Sequence, residues 1–172
     1  MWYWLLKYVL LGPLLILLGR PKVEGLQHIP SSGPVILASN HLAVMDSFFL
    51  PLVVRRRITF LAKSEYFTGT GIKGWFSRWF FNAVGQVPID RTDADSAQAA
   101  LNTAQRVLGQ GKVLGMYPEG TRSPDGRLYK GKTGLARLAL QTQVPVIPVA
   151  MIGTDVVNPP GTSRLRFGRV VI

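Results

Sequence analysis

Short apolar runs alternate with segments of helical periodicity once the first 22 residues are passed. The runs rich in β-branched residues predict strands at residues 34–39, 58–62, 84–89, 112–117 and 144–152. Helical spacing predicts helices at residues 71–81, 93–111 and 132–143. Residues 48–54 also have a helical pattern, although Pro51 limits it. This alternation predicts an α/β fold with a mostly parallel central sheet flanked by helices.

The first 22 residues have a different pattern, because Lys7 is their only charge before a short basic stretch. A membrane-spanning helix needs roughly 20 apolar residues, and Gly12-Pro13 would kink or split a helix here. Aromatic residues near the start are typical of a membrane interface. We expect residues 1–22 to form a membrane-anchoring segment, spanning or lying in one leaflet. Residues 23–172 would form one domain, and a buried core helix is the less favoured alternative for the first segment.

The charge balance indicates an anionic partner. The chain has 20 Lys and Arg against 9 Asp and Glu, a net charge of +11. Nucleic acid, anionic lipid and a phosphorylated substrate all fit this excess, and the charge alone does not choose among them. Cysteine is absent from the sequence, which excludes disulfides, thiolate metal sites and a cysteine nucleophile.

One histidine and one acid stand at the predicted end of the first strand, in SNHLAVMD. If residues 41–46 turn into a helix, the Asp46 carboxylate reaches one nitrogen of His41 and leaves the other free as a base. Taken alone, this spacing is better explained by a polar turn with Asp46 capping the helix. One histidine and one acid fall short of a metal site. Because no G-x-S-x-G motif is present, a base here would act directly on a substrate hydroxyl or on water.

Two further strand ends carry polar residues that parallel strands would bring to the same edge of the sheet. Arg91 ends VPIDR, and Glu119, Gly120 and Arg122 lie in MYPEGTRSPDG. An arginine can hold a phosphate through two parallel hydrogen bonds. Each stretch also has an ordinary explanation, a helix cap for the first and a surface turn for the second. Together with His41 they indicate a base facing a phosphate-binding group.

The ordered motifs resemble the 1-acylglycerol-3-phosphate acyltransferase family of glycerolipid acyltransferases. The resemblance covers residues 24–152 and four blocks in order. NHLAVMD resembles the family's NHxxxxD block, GQVPIDR its second block and VPVIPVA its fourth. YPEGTRS is similar to the third block and is the most specific of the four. FLAKSEYF, with Lys63, resembles a common feature between the first two blocks.

The resemblance implies a role for each matched residue. His41 would deprotonate the free hydroxyl of a lysophospholipid, and Asp46 would orient His41. The acceptor's phosphate would be held by Arg91, Gly120, Thr121 and Arg122, with Lys63 a weaker candidate. Glu119 would position the acceptor or the loop. Pro145 to Pro148 would line the acyl path or shape the site.

The resemblance also implies the partners and the location. The acceptor would be 1-acylglycerol-3-phosphate, the product phosphatidic acid, and the donor an acyl-CoA or acyl carrier protein thioester. We expect no metal or other cofactor and no nucleic acid. An anionic membrane surface would be a partner, with the enzyme at the cytoplasmic face of the cell membrane. The final RFGRVVI is typical of the start of another strand, so we expect truncation of the acyltransferase domain at its C-terminus.

Other functions stay open at this point. A different lysophospholipid or a glycolipid hydroxyl could replace the acceptor. GRLYKGKT, residues 126–133, satisfies the P-loop pattern of nucleotide-binding proteins, although a polar loop separates it from the preceding strand. We expect Lys130 and Lys132 to line a basic mouth instead. A basic binding module without catalysis would leave His41 and Asp46 without a role. The helix at 71–81 would face either the sheet or a membrane surface.

Overall fold

The computed structural model describes residues 2–89 and 95–172. Its five strands are β1 (Val35–Ser39), β2 (Ile58–Lys63), β3 (Val87–Ile89), β4 (Val113–Met116) and β5 (Val146–Val149). They form one sheet in the order β3-β2-β4-β1-β5, and every pairing is parallel. The predicted α/β class and all five predicted strands are confirmed.

Helices flank the sheet as predicted. They are α1 (Trp2–Leu5), α2 (Gly12–Gly19), α3 (Asp46–Val53), α4 (Glu65–Thr68), α5 (Gly71–Val84), α6 (Asp95–Gly109), α7 (Gly134–Thr142) and α8 (Thr154–Val157), with a π-helix at Leu6–Leu10 and a 3₁₀ turn at Leu26–His28. Helix α3 continues through Pro51 and ends at Val53. The first residues predicted for the 93–111 helix lie outside the described part of the chain.

The core lies on both faces of the sheet, because successive strand residues point to opposite faces. On one face Leu37 packs with Phe49 and Leu50 of α3. On the other, Ile36 and Leu114 pack against α6 and α7. Helices on both faces explain why the strands are continuous apolar runs rather than alternating ones.

The N-terminal segment lies with one side against the domain and the other side exposed. Leu15 belongs to the core cluster around β1 and α3, whereas Leu14 and Leu17 are at least half exposed. Trp2–Leu10 and Gly12–Gly19 are bent by 40° relative to each other, and the break at Leu11 directly precedes Gly12-Pro13, where a kink or split was predicted. Within the described residues, no single helix has the length and hydropathy to cross a membrane, although this bent pair reaches both when taken together.

The last residues are bridged to neighbouring chain but add no strand to the five-stranded sheet of the described residues. Val171 forms isolated bridges with Lys22 and with Ile152. The amide of Val170 donates to Gly19 O, and its carbonyl accepts from Lys22 N. These hydrogen bonds hold the C-terminal residues against the end of α2 and the residues that follow it. Val170 is fully buried and belongs to the core cluster around β1 and α3.

Candidate active site

His41 and Asp46 meet where β1 ends and α3 begins. Nδ1 of His41 lies 2.8 Å from Oδ2 of Asp46. The aspartate side chain is fully buried, and the imidazole keeps 16% of its side-chain surface exposed. In the described part of the chain, nothing is hydrogen-bonded to Nε2 of His41. The pair therefore leaves Nε2 available to a substrate.

The turn between β1 and α3 is organised around the same carboxylate oxygen. Oδ2 of Asp46 also accepts hydrogen bonds from the backbone N–H of Leu42 at 2.6 Å and of Ala43 at 2.9 Å. The strand end itself is fixed by Asn40, whose amide side chain bonds both N–H and C=O of Met151. Asp46 is thus both a hydrogen-bond partner of His41 and the residue that closes the turn. It is the first residue of α3 and not its cap, and its catalytic role stays a prediction.

Glu119 joins the loop after β4 to His41. Its Oε1 accepts from the backbone N–H of His41 at 3.0 Å, and its Oε2 accepts from the N–H of Tyr129 at 2.9 Å. The carbonyl of His41 accepts from Ser123 N at 2.7 Å. Because both carboxylate oxygens bond backbone groups, the contacts of Glu119 favour positioning of the loop over direct positioning of an acceptor.

Two residues that sequence reasoning missed complete the surroundings of His41. The ring of Tyr117 stacks on the imidazole, with centroids 3.8 Å apart and planes 10° apart. The hydroxyl of Tyr117 lies 2.9 Å from that of Ser47. Burial raises the pKa of the Tyr117 phenol above its ordinary value, so the phenol stays neutral. The available signals were adjacency to PEGTR and to Asp46, which do not by themselves reveal a stack.

A cavity of about 890 Å³ opens beside His41 and Tyr117. Its lining includes His41 and Tyr117 together with apolar side chains from three parts of the chain. These apolar residues include Leu11 and Leu15 before the domain, Phe48 and Leu52 of α3, and Phe80 and Phe81 of α5. The cavity has the volume and mixed lining of a small-molecule site.

Most of the predicted phosphate-binding set lines this cavity. The members in the lining are Lys63, Gly120, Thr121 and Arg122. Lys132, which was not in the predicted set, also lines the cavity. Gly120 has φ 75°, and a Cβ there would come within 3.1 Å of Lys132 Nζ, so glycine lets the lysine lie against the loop. Arg91 lies outside the described residues. The roles of all these residues stay predictions.

Comparison with known proteins decides the family. A family model described as Acyltransferase matches residues 20–152. The chain belongs to the acyltransferase family. The chain is 35% identical over 151 residues to a chloroplastic 1-acyl-sn-glycerol-3-phosphate acyltransferase of Arabidopsis thaliana, covering 87% of this chain and 41% of that protein. It is 32% identical over 135 residues to the human alpha enzyme of the same name, covering 77% of this chain and 45% of that one.

A solved structure of an acyltransferase has the same fold. The crystal structure of the 1-acyl-sn-glycerophosphate (LPA) acyltransferase PlsC from Thermotoga maritima matches with a TM-score of 0.70 and 30% identity. The match covers 90% of this chain and 59% of that one. The predicted resemblance is confirmed. The chain spans about half the length of the curated relatives it matches.

Of the other predicted features, only Lys132 lines the cavity among the described residues. The P-loop pattern begins at Gly126, whereas β4 ends at Met116, so no strand leads directly into it. Lys130 is exposed, and among the described residues only Lys132 of that pair lines the cavity. Pro145 and Pro148 do not line it; β5 instead pairs with β1 beside the site. His28 is exposed on its 3₁₀ turn, as expected.

Proposed function

We propose that this chain transfers a fatty acyl group from an acyl thioester to the free hydroxyl of 1-acylglycerol-3-phosphate, giving phosphatidic acid. The observation that carries the proposal is the His41–Asp46 pair at 2.8 Å, whose His41 lines one cavity with apolar side chains and with Lys63, Arg122 and Lys132. The relatives named for this reaction support the choice of acceptor.

The chemistry is a single acyl transfer. Nε2 of His41 takes the proton of the acceptor hydroxyl as its oxygen attacks the thioester carbonyl carbon. The tetrahedral intermediate then collapses, the carbon–sulfur bond breaks, and the thiolate takes the proton from the imidazolium. The Asp46 carboxylate stabilises that imidazolium through Nδ1. No metal or other cofactor takes part in the proposal.

The basic residues of the cavity bind the acceptor's phosphate. Arg122 supplies a planar pair of donors, which suits phosphate oxygens. Lys63 and Lys132 add point charges, and Arg91 is proposed to join them. The backbone of Gly120 and the hydroxyl of Thr121 supply neutral donors. An acceptor without its phosphate should therefore bind much more weakly.

The donor is an acyl thioester of coenzyme A or of acyl carrier protein. The apolar side chains around the cavity would cover its acyl chain, because fatty chains gain from leaving water at about 0.8 kcal/mol per methylene group. Assaying the same protein preparation with each donor in turn, and comparing the rates of acyl transfer, shows which carrier the enzyme uses.

The enzyme is proposed to work on an anionic membrane surface at the cytoplasmic face of the cell membrane. Its apolar face comprises Trp4, Leu10, Leu14 and Leu17 of the N-terminal segment and Ile72, Trp75 and Phe76 of α5, all substantially exposed. Trp2 contacts Trp79 at 5.6 Å between ring centroids, which makes the two parts neighbours. Phe80 and Phe81 of α5 line the cavity, so only the exposed residues of this helix are proposed to face the membrane.

The direct test uses labelled acyl-CoA and lysophosphatidic acid with wild type, His41→Ala and His28→Ala. Loss of a positioned base should lower the rate by roughly 10²–10⁴-fold. His28 is the only other histidine in the sequence and is exposed, so its variant should retain the wild-type rate. Wild-type product formation by folded His41→Ala protein would overturn the mechanism.

A second candidate keeps the chemistry and changes the acceptor to another lysophospholipid or a glycolipid hydroxyl. The mixed lining of the cavity favours it as the alternative, since basic side chains bind other phosphate headgroups equally. A panel of acceptors at matched concentration distinguishes the two. A kcat/KM at least tenfold higher for another headgroup would replace the proposed acceptor.

A further inference from the structure

Three aromatic rings stack in succession beside the cavity, beginning with His41. The imidazole stacks on Tyr117 at 3.8 Å, and Tyr117 stacks on Phe60 at 5.5 Å with planes 12° apart. This aromatic stack consists of His41, Tyr117 and Phe60. It stands between β1, β4 and β2, which are neighbours in the sheet.

The stack is fixed from behind and from the side. Phe60 lies over Gly115, since a Cβ there would be 2.3 Å from the Phe60 ring. The backbone N–H of Phe60 donates to Gln86 Oε1 at 2.6 Å. The middle ring is held by its hydroxyl: Tyr117 OH bonds the hydroxyl of Ser47, which directly follows Asp46 at the start of α3. The same helix terminus therefore positions both partners of the imidazole, one at its edge and one across its face.

We propose that Tyr117 is a positioning residue whose ring face selectively stabilises the imidazolium form of His41. An aromatic face carries negative electrostatic potential and attracts a cation within about 6 Å of its centroid. The neutral imidazole has no net charge and gains less from the same ring. During the proposed reaction the imidazolium forms as His41 takes the hydroxyl proton, so the ring lowers the barrier rather than strengthening substrate binding.

Other charged groups also act on this imidazole. They are Asp46 at Nδ1, Glu119 at the backbone N–H, and Lys63, Arg122 and Lys132 in the cavity lining. The carboxylates favour the imidazolium and the cations oppose it. A variant at position 117 leaves all of these side chains unchanged, so the effect of the ring can be measured separately.

The inference rests on the proposed function, so its main test does not depend on turnover. The sequence has two histidines, and NMR of histidine-labelled protein follows both. In Tyr117→Leu the titration midpoint of His41 should fall by about 0.4 to 1.5 pH units. It should stay within about 0.2 units in Tyr117→Phe, which keeps the ring face. Exposed His28 is the internal reference and should not move in either variant.

Fluorinated rings test the same point without changing the shape of the stack. Position 117 is replaced in turn by phenylalanine, difluorophenylalanine and trifluorophenylalanine. Each added fluorine withdraws more electron density from the face of the ring. The His41 midpoint should fall stepwise along this series. Equal midpoints in the whole series and in Tyr117→Leu would overturn the inference, even if Tyr117→Leu is less stable than wild type.

Turnover then shows whether the stabilisation reaches catalysis. With whichever acceptor wild type uses, Tyr117→Leu should lower kcat by about 2- to 30-fold and leave KM within about twofold. Recovery of kcat in Tyr117→Phe is expected. A raised KM with unchanged kcat would assign Tyr117 to substrate binding and overturn the inference. Absence of acyl transfer by wild type would refute the proposed function alone, because the NMR titration still decides the role of the ring.

Discussion

Glu119 holds the backbone of His41 in place through a hydrogen bond of 3.0 Å from the His41 N–H to Oε1. Its second oxygen holds Tyr129 on the far side of the same loop. The carboxylate is buried, so water does not replace either bond easily. Glu119 therefore couples the position of the proposed base to the shape of the loop that follows β4.

Replacing Glu119 with glutamine should weaken the link between the backbone of His41 and the loop at Tyr129. Glutamine keeps one acceptor oxygen and turns a donor toward the other backbone N–H. Hydrogen bonds to charged groups contribute about 1.5–3 kcal/mol, so kcat/KM should fall about 10- to 100-fold. Hydrogen exchange should become faster at the amide of His41 or Tyr129. Glu65→Gln, at an exposed position on α4, is the control and should match wild type. Unchanged exchange at both amides would refute the coupling.

Replacing Asp46 with asparagine should remove the charge that stabilises the imidazolium while keeping the side chain's size. The amide oxygen can still accept from Leu42 and Ala43, so the turn should persist. We expect kcat to fall by about 10²-fold or more, with little change in the melting temperature. Asp155→Asn is the control, because Asp155 does not line the cavity. A rate within threefold of wild type would show that Asp46 only closes the turn.

The strands and helices could be predicted because apolar residues recur at the positions of each element that face the core. Leu37 and Ile36 face opposite sides of the sheet, and both sides are covered, so the runs are continuous. The His41–Asp46 contact could also be anticipated, since the two residues are separated by a single turn. Here local spacing and tertiary structure agree.

Contacts made between distant segments could not be predicted. Glu119 reaches His41 from 78 residues away, and nothing in PEGTR indicates where its carboxylate points. The buried amine of Lys7 donates to the carbonyl of Val54 at the end of α3, although sequence reasoning treated Lys7 only as a charge in an apolar segment. Such pairings depend on how the loop and the N-terminal helices fold back, which periodicity does not encode.

Replacing Gly115 with alanine should disturb the aromatic stack and lower stability. The new Cβ would lie 2.3 Å from the Phe60 ring, so the ring must move. Overpacking of this kind costs about 1–3 kcal/mol, which corresponds to a melting temperature lower by roughly 2–10 °C. Thermal unfolding followed by circular dichroism measures it. Gly109→Ala is the matched control, because its Cβ would meet no atom within 4 Å. Equal melting temperatures for the two variants would contradict the prediction.

Replacing Arg122 with alanine should weaken acceptor binding more than chemistry. Loss of charge-assisted hydrogen bonds to phosphate should raise the KM for lysophosphatidic acid about 10- to 100-fold. The KM for the acyl donor should change less. Arg127→Ala is the matched control in the same loop, since the Arg127 side chain is 84% exposed and paired with Asp125. If Arg127→Ala raised the acceptor KM as much as Arg122→Ala, the effect would be general charge rather than a phosphate contact.

Replacing Trp75 with serine should weaken binding to membranes without altering the fold. Trp75 is 63% exposed on α5, so most of its surface is free to enter a membrane interface. An aromatic side chain entering the interface contributes on the order of 1–2 kcal/mol, which predicts about tenfold weaker partitioning. Sedimentation with phosphatidylglycerol vesicles measures this, and phosphatidylcholine vesicles should bind both proteins less because each basic residue near anionic lipid adds about 1 kcal/mol. Leu140→Ser is the matched control, being 73% exposed on α7, outside the apolar face. Equal losses in both variants would mean that exposed apolar area alone, and not this face, directs the chain to lipid.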